Sequence, residues 1–225
     1  MDARLAALAA MVPAGARLAD IGTDHAYLPI ALVQAGKVPF AIASDIAAGP
    51  LANAQADIQA AGLTKQIETR LGNGLTTIKA SDQIDAVVIA GIGGQLMTEI
   101  LSQSQLRFPT LILEPNIGER EVRRWLEAAR YQITAEHLLW VKGHSYELIK
   151  AELTAARHPL TEREALFGPL ILQDKNNPAF ARKWKGQLDY DQRLLQNLQR
   201  AKQPDQTKIA RLSEQIKLIK GELHD

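Results

Sequence analysis

The sequence predicts a doubly wound α/β sheet that ends in an antiparallel hairpin and carries a C-terminal α-helical extension. Three observations carry this. Up to Glu114, five short β-rich apolar runs alternate with helical segments, the pattern of a parallel sheet covered by helices on both faces. Two more strand-like runs follow, separated only by a turn. From about residue 160 the period becomes helical, and apolar residues recur three and four apart.

Each element has a local reason. The opening MDARLAALAAMVPAG reads as an amphipathic helix ended by Pro13; with one basic residue, one acidic residue and a short apolar stretch, it is a poor secretory signal. ARLADI (16–21) and FAIASD (40–45) are strands, with YLPIALVQAG between them as a helix. AAGPLANAQADIQAAG then spaces its Ala, Leu and Ile for a helix face and ends on glycine. IETRL (67–71), IDAVVIA (84–90) and TLILE (110–114) are the next strands. After Pro115, EREVRRWLEAAR reads as a helix, and YQITAEHLLWVKGHSYELIKAEL as two strands joined by a Lys142-Gly143-His144 turn. A long helix starts after Asn177-Pro178, and Pro204-Asp205 interrupts it.

The last helix aligns Ile209, Leu212, Ile216, Ile219 and Leu223, a coiled-coil seam of about two heptads. Leu188, Leu195 and Leu198 supply a facing seam, which predicts an antiparallel helical hairpin folded at 203–207 within one chain, and so a monomer. A helical layer packed flat on the core, or pairing between two chains as a dimer, are the competing arrangements. The expected domains are 1–159, the sheet domain, and 160–225, the helical hairpin.

Composition narrows the function classes. With 46% apolar and 23% charged residues in 225, the chain is ordinary globular material without a membrane-length apolar run. It has no cysteine, which removes disulfides, thiolate nucleophiles and cysteine-ligated metals, and which suits the cytoplasm. No metal site is expected. Net charge of +1 hides an asymmetry: residues 1–116 hold 7 Lys/Arg against 10 Asp/Glu, residues 117–225 hold 19 against 15. Between 181 and 220 ten basic residues face four acids, which points to a polyanionic partner or to a solvated helix face.

In an open parallel sheet, ligands bind outside the carboxyl ends of the strands. The unusual residues cluster there: Asp20-Ile21-Gly22, Asp45, Gly72-Asn73-Gly74, Gly91-Ile92-Gly93-Gly94 and Glu114-Pro115-Asn116. Asp45 ends the second strand, where a carboxylate can accept two hydrogen bonds from a ribose diol; it can equally cap the next helix. Gly22 allows close backbone approach to a ligand or simply a turn with positive φ. Asn73 can meet an adenine amino group, although GNG is also a plain turn. The first turn, DIGTDHAY, lacks the G-x-G-x-x-G cradle for a pyrophosphate and adds an acid, so a cationic, phosphate-free cofactor such as S-adenosylmethionine fits it better than NAD does.

ADIGTDHAYLP, ASDIAAGPL, GNGL, IAGIGG and LEPN, in this order and ahead of a helical C-terminal part, resemble the bacterial tRNA (adenine(22)-N(1))-methyltransferase family, TrmK. The resemblance runs through nearly the whole chain. It implies a class I, Rossmann-like methyltransferase fold, S-adenosylmethionine as cofactor and tRNA as substrate. It places the cofactor around Asp20, Gly22, Asp45 with Ile46, Asn73 and Gly74, and Gly91 and Gly93, and it makes Asp24 the catalytic acidic residue. The loop often reads G-D-G in relatives, whereas here Asn73 replaces the acid.

N1 of adenine carries an in-plane lone pair, so an enzyme need only align it with the methyl donor and place negative charge near the developing cation. Asp24 suits that task. Tyr27 can stack on a base and His25 can contact phosphate or assist proton transfer, or both can be structural. Asn116 stands where a polar group meets the acceptor, or else starts the following helix. Because N1 lies on the Watson–Crick edge, the base must leave its stack. Arg120, Arg123, Arg124, Arg182, Lys183, Lys185, Arg193 and Arg200 are the expected phosphate contacts, or else solvated helix faces. The competing functions are methylation of another nitrogen and RNA binding without catalysis.

Overall fold

The computed structural model describes residues 2–174 and 176–224, which form two compact units divided between Leu172 and Gln173. In the larger unit, α1 (Ala3–Met11) precedes β1 (Arg17–Ile21), α2 (Tyr27–Gln34), β2 (Phe40–Asp45), α3 (Ala48–Ala60) and β3 (Ile67–Leu71). Then come β4 (Ala86–Ile92), α4 (Gly94–Gln103), β5 (Thr110–Pro115), α5 (Glu119–Ala128), β6 (Tyr131–Val141), β7 (His144–Leu153) and α6 (Glu162–Phe167). The seven strands lie in the order β3-β2-β1-β4-β5-β7-β6. Strands β1 to β5 pair in parallel, and β7 joins β5 antiparallel, as does β6 to β7. This is a Rossmann-like core ending in the expected hairpin.

Alternation of side chains explains the two faces. Leu18, Val88 and Ile112 pack with Leu8, Leu32, Ala54 and Ile58 on one face; Ala19, Val87, Leu111 and Leu113 pack with Met97, Leu101, Val122 and Leu126 on the other. A central strand buried on both faces must be apolar at successive positions, as AVVIA in β4 is. The hairpin turn needs positive φ at two residues, and Lys142 (49°) and Gly143 (91°) supply it. His144, expected in the turn, begins β7.

The fourth strand runs two residues later than its apolar run suggests, because a bulge between Ala90 and Ile92 lets β4 continue beside β5. Between β3 and β4 the chain makes two short 3-10 turns, Gly74–Thr77 and Ala80–Asp82. Arg70 fastens them, donating to Thr77 O at 2.7 Å and to Asp82 Oδ2 at 2.6 Å.

Arg123 corrects one expectation. Its side chain is wholly buried, with Nε 2.7 Å from Glu136 Oε1 and Nη2 2.5 Å from Glu147 Oε2, so it cannot reach a phosphate. Its Nη1 lies 3.3 Å from the carbonyls of Ala165 and Leu166, which ties α6 to α5. The division therefore falls after α6, whereas a change of period alone suggested 159/160.

In the smaller unit, α7 (Pro178–Gln199) starts with Asn177 Oδ1 accepting from Ala179 N at 2.9 Å, and α8 (Gln206–His224) returns after a six-residue connection, 200–205. Asp191 accepts from Gln187 on its own helix and from Gln215 on α8, each at 2.7 Å. Residues 191 and 215 lie nearly equally far from the connection, 8 and 9 residues into their helices, as antiparallel pairing requires. The helical hairpin is formed within the chain, with Ile216 and Ile219 of the seam buried.

Candidate functional site

The strand order reverses between β1 and β4, so their carboxyl ends meet at a switch point, flanked by those of β2 and β5. A cleft of about 350 Å³ opens there, lined by Asp2, Arg4 and Leu5 of the N-terminal segment, by the whole stretch Asp20–Leu28, and by Val88 and Ala90.

The loop after β1 is pinned by its backbone. Gly22, at φ +83°, and Thr23 both donate to Ser44 O, at 2.8 and 3.0 Å. Thr23 Oγ1 in turn accepts from Ala26 N at 3.2 Å, and Ala26 takes a left-handed conformation to begin α2. Asp20 points into the cleft from the end of β1. Enclosure by protein pushes its carboxyl up to about 6, against the hydrogen bond from Thr23 and with help from the nearby Asp45 charge. Asp24 is the opposite case: its side chain is 73% exposed at the mouth.

His25 is held from behind. Its Nδ1 lies 2.8 Å from Asp57 Oδ2 on α3, and its ring stacks on Tyr27 at 4.9 Å and 6°. A carboxylate only accepts, so Nδ1 carries the proton and Nε2 is left on the side of Asp24, 3.8 Å from its Oδ2. Asp57 was not foreseen, being 32 residues away on a helix whose sequence shows no reason to single it out.

Asp45 Oδ1 accepts from Ala47 N at 2.7 Å, closing a local turn. Ala47, not Asp45, is the N-cap of α3, so helix capping does not account for the acid. Ile46 beside it and Asn73 in the next loop are exposed. Gly74 (φ +53°) cannot be replaced without collision, since a Cβ would stand 2.8 Å from Ile100 Cγ2.

The loops after β4 and β5 lock together. Asn116 donates its side-chain Nδ2 to Gly91 O at 2.7 Å and its backbone N–H to Ile92 O at 2.8 Å, while Gly94 N donates to Ile117 O at 2.8 Å. Gly91 needs its positive φ (+79°) in the bulge, whereas Gly93 is in ordinary extended backbone. Gly118 is the N-cap of α5, so Asn116 is not there to start that helix. One residue before Pro115, Glu114 is fully buried, and burial pushes its carboxyl up to about 7 although Arg4 Nη1 lies 3.0 Å from Oε2. This pair was also missed; a single arginine on an otherwise apolar helix was its only signal.

The basic residues are dispersed. Arg120 and Arg124 both pair with Glu162, and Arg124 also donates to Glu127 and to Leu160 O, each at 2.7 Å. On α7 and its C-cap, Arg182, Lys185, Arg193 and Arg200 are exposed and, by the helical repeat, fall within an arc of roughly 80°. Asp189 shares this stripe, and Lys183 leaves it to sit over the Trp184 ring at 5.1 Å.

Among the described residues no group of three or more His, Asp or Glu side chains is arranged to hold a metal ion, and no helix is long and apolar enough to cross a membrane. A family model described as TrmK, tRNA (adenine(22)-N(1))-methyltransferase, matches residues 18–221. The tRNA (adenine(22)-N(1))-methyltransferase of Bacillus subtilis (strain 168) is 35% identical over 229 residues, covering 98% of this chain and 95% of that one. A Streptococcus pneumoniae protein solved in complex with S-adenosyl-L-methionine superposes with a TM-score of 0.89 at 34% identity, over 100% of both chains. M. capricolum TrmK, solved with S-adenosyl-homocysteine, superposes with a TM-score of 0.86 at 30% identity, over 100% of this chain and 98% of that one.

Proposed function

The chain belongs to the TrmK family of tRNA (adenine(22)-N(1))-methyltransferases, and we propose that it methylates adenosine 22, with Asp24 at the acceptor base and Asp20 and Asp45 on the cofactor. It is an S-adenosylmethionine-dependent tRNA methyltransferase that acts on N1 of adenine. The observation that carries the assignment of roles is the placing of two carboxylates with opposite surroundings, Asp20 enclosed and Asp24 exposed, on one turn at one cleft.

The cleft suits the cofactor. Asp20 is an enclosed carboxylate whose influential neighbours are a hydroxyl and another carboxylate, so a cationic ligand relieves it. Asp45 takes a ribose diol with Oδ2, Oδ1 being held by Ala47. Ile46 offers an apolar surface to the adenosine, with Asn73 and Gly74 at its far edge; Gly22, Gly91 and Gly93 let backbone approach. S-adenosylmethionine, when bound, supplies an electrophilic methyl group for in-line attack by a nitrogen lone pair.

The chain's own residues orient the acceptor. Asp24 accepts a hydrogen bond from the adenine amino group and places negative charge near the cation that forms as N1 is alkylated. Asp57 fixes the His25 ring, which buttresses Asp24 from one side and the Tyr27 ring from the other. Tyr27 is a stacking surface for the base. Asn116 commits Nδ2 to Gly91, and its Oδ1 serves as a second partner for the amino group. The basic stripe of α7, with Arg120, contacts phosphates. The protein acts as a monomer, in the cytoplasm, where its substrate is made.

Incubation with labelled S-adenosylmethionine and bulk tRNA, followed by nucleoside analysis, is expected to yield 1-methyladenosine; any other product sinks the base assignment. For the role of Asp24, Asp24→Ala is expected to lower the single-turnover rate by about 100-fold or more. Cofactor affinity by calorimetry should stay within about twofold, since the carboxylate is assigned to the acceptor. Equal losses in both would move Asp24 to the cofactor.

A further inference from the structure

Seven large apolar side chains are exposed among the described residues, and five of them, Tyr27, Ile46, Leu71, Leu96 and Ile117, lie at or just beyond the carboxyl ends of β1 to β5. Exposed apolar residues scattered singly need no explanation, but five of them at or just past the carboxyl ends of successive strands, with Tyr27 itself lining the cleft, do. Ile46 follows β2 and Leu71 ends β3, on the ribose side. Ile117 follows β5, next to Asn116, and at 72% it is the most exposed of the seven.

Its backbone is the reverse of loose. Ile117 O accepts from Gly94 N at 2.8 Å, and its neighbour Asn116 is bonded through both backbone and side chain to the loop after β4. The two loops approach so closely that a Cβ at Gly94 would stand 2.4 Å from Gly118 O. An aliphatic side chain is thus held outward from a braced loop at the acceptor side of the site, where no fold-stabilising burial rewards it.

Adenine N1 is unreachable while the base is paired, and extruding the base leaves a gap that costs stacking. Rigid apolar side chains inserted between bases offset that cost in proteins that kink or open a duplex. We propose that Ile117 is the wedge that occupies the place of the target adenosine in the tRNA stack while that base is in the cleft. This rests on adenine N1 being the target and commits the exposed side chain to RNA rather than to a protein partner or the cofactor.

The test compares wild type, Ile117→Ala and Ile117→Leu on two RNAs: the substrate tRNA, and the same tRNA with an abasic site opposite the target adenosine. Ile117→Ala is expected to lose about tenfold in kcat/KM on the intact tRNA and less than about threefold on the abasic one, because without its pairing partner the target base leaves the helix cheaply enough that stabilising the extruded state no longer limits kcat/KM. Ile117→Leu should stay near wild type, and cofactor affinity should not move. Should the alanine variant melt early, Ile117→Gln, which keeps length without apolarity, takes its place. An equal defect on both RNAs, no defect, or a matching loss of cofactor affinity would overturn the proposal. Absence of 1-methyladenosine with wild type would instead overturn the adenine-N1 reading itself.

Discussion

Asp20 and Asp24 are the same residue type four positions apart, and their surroundings give them different chemistry. Enclosure raises Asp20 from 3.8 to about 6, which costs the ligand-free fold stability as pH rises through that range. A bound cation favours the carboxylate and draws its pKa back down. Cofactor affinity is therefore expected to be flat above about pH 6 and to fall as pH drops below it, by up to about tenfold per pH unit. Calorimetry on wild type and Asp20→Asn checks this, with the asparagine variant binding more weakly and losing the slope. Glu114, pushed up to about 7 beside the Arg4 wall of the same cleft, is the other group that titrates nearby. If the slope survives in Asp20→Asn and disappears in Glu114→Gln, it belongs to Glu114. That Asp20 stands at the candidate cleft was legible from its position at a strand end; its altered acidity was not, because enclosure depends on what the fold packs around it.

At the scale of elements, α5 shows how a pattern can be read and still misassigned. EREVRRWLEAAR is plainly a helix, and Val122 and Leu126 mark its buried arc. Arg123 adjoins Val122 on that arc, and its position, rather than its charge, is the signal that it points inward. Inside, it meets Glu136 and Glu147 from the closing hairpin. Arg123→Met would leave two buried carboxylates facing each other and is expected to destabilise the larger unit by about 3–5 kcal/mol. Urea unfolding measures this, and replacing Arg123, Glu136 and Glu147 together by apolar residues of similar volume should restore much of the stability. A change below about 1 kcal/mol for Arg123→Met would mean that the buried triad matters little.

At the scale of the whole molecule, charge is divided between the units. The sheet unit presents carboxylates at its cleft, and α7 with its C-cap presents a stripe of Arg182, Lys185, Arg193 and Arg200. If the stripe holds tRNA phosphates, neutralising all four to Gln should weaken tRNA binding without changing cofactor affinity. Log affinity against log salt should become shallower by about 3, near 0.7–0.9 for each phosphate no longer neutralised. Fluorescence anisotropy across a salt series decides it, and an unchanged slope would leave the stripe as a solvated helix face.

The order of strands and helices, the hairpin, the apolar seam of α8 and the clustering of polar residues at strand ends were all determined by the sequence, because period, turn chemistry and strand-end position are properties of neighbouring residues. Asn116 and Asp45 each admit two readings from sequence, and tertiary structure adds the bonds they make, to Gly91 and Ala47. Arg123, the His25–Asp57 contact and the Arg4–Glu114 pair were decided by tertiary structure alone. Each joins residues on separate elements, and whether a charged side chain is buried with a partner or left to solvent depends on what the fold packs against it, which local pattern does not contain.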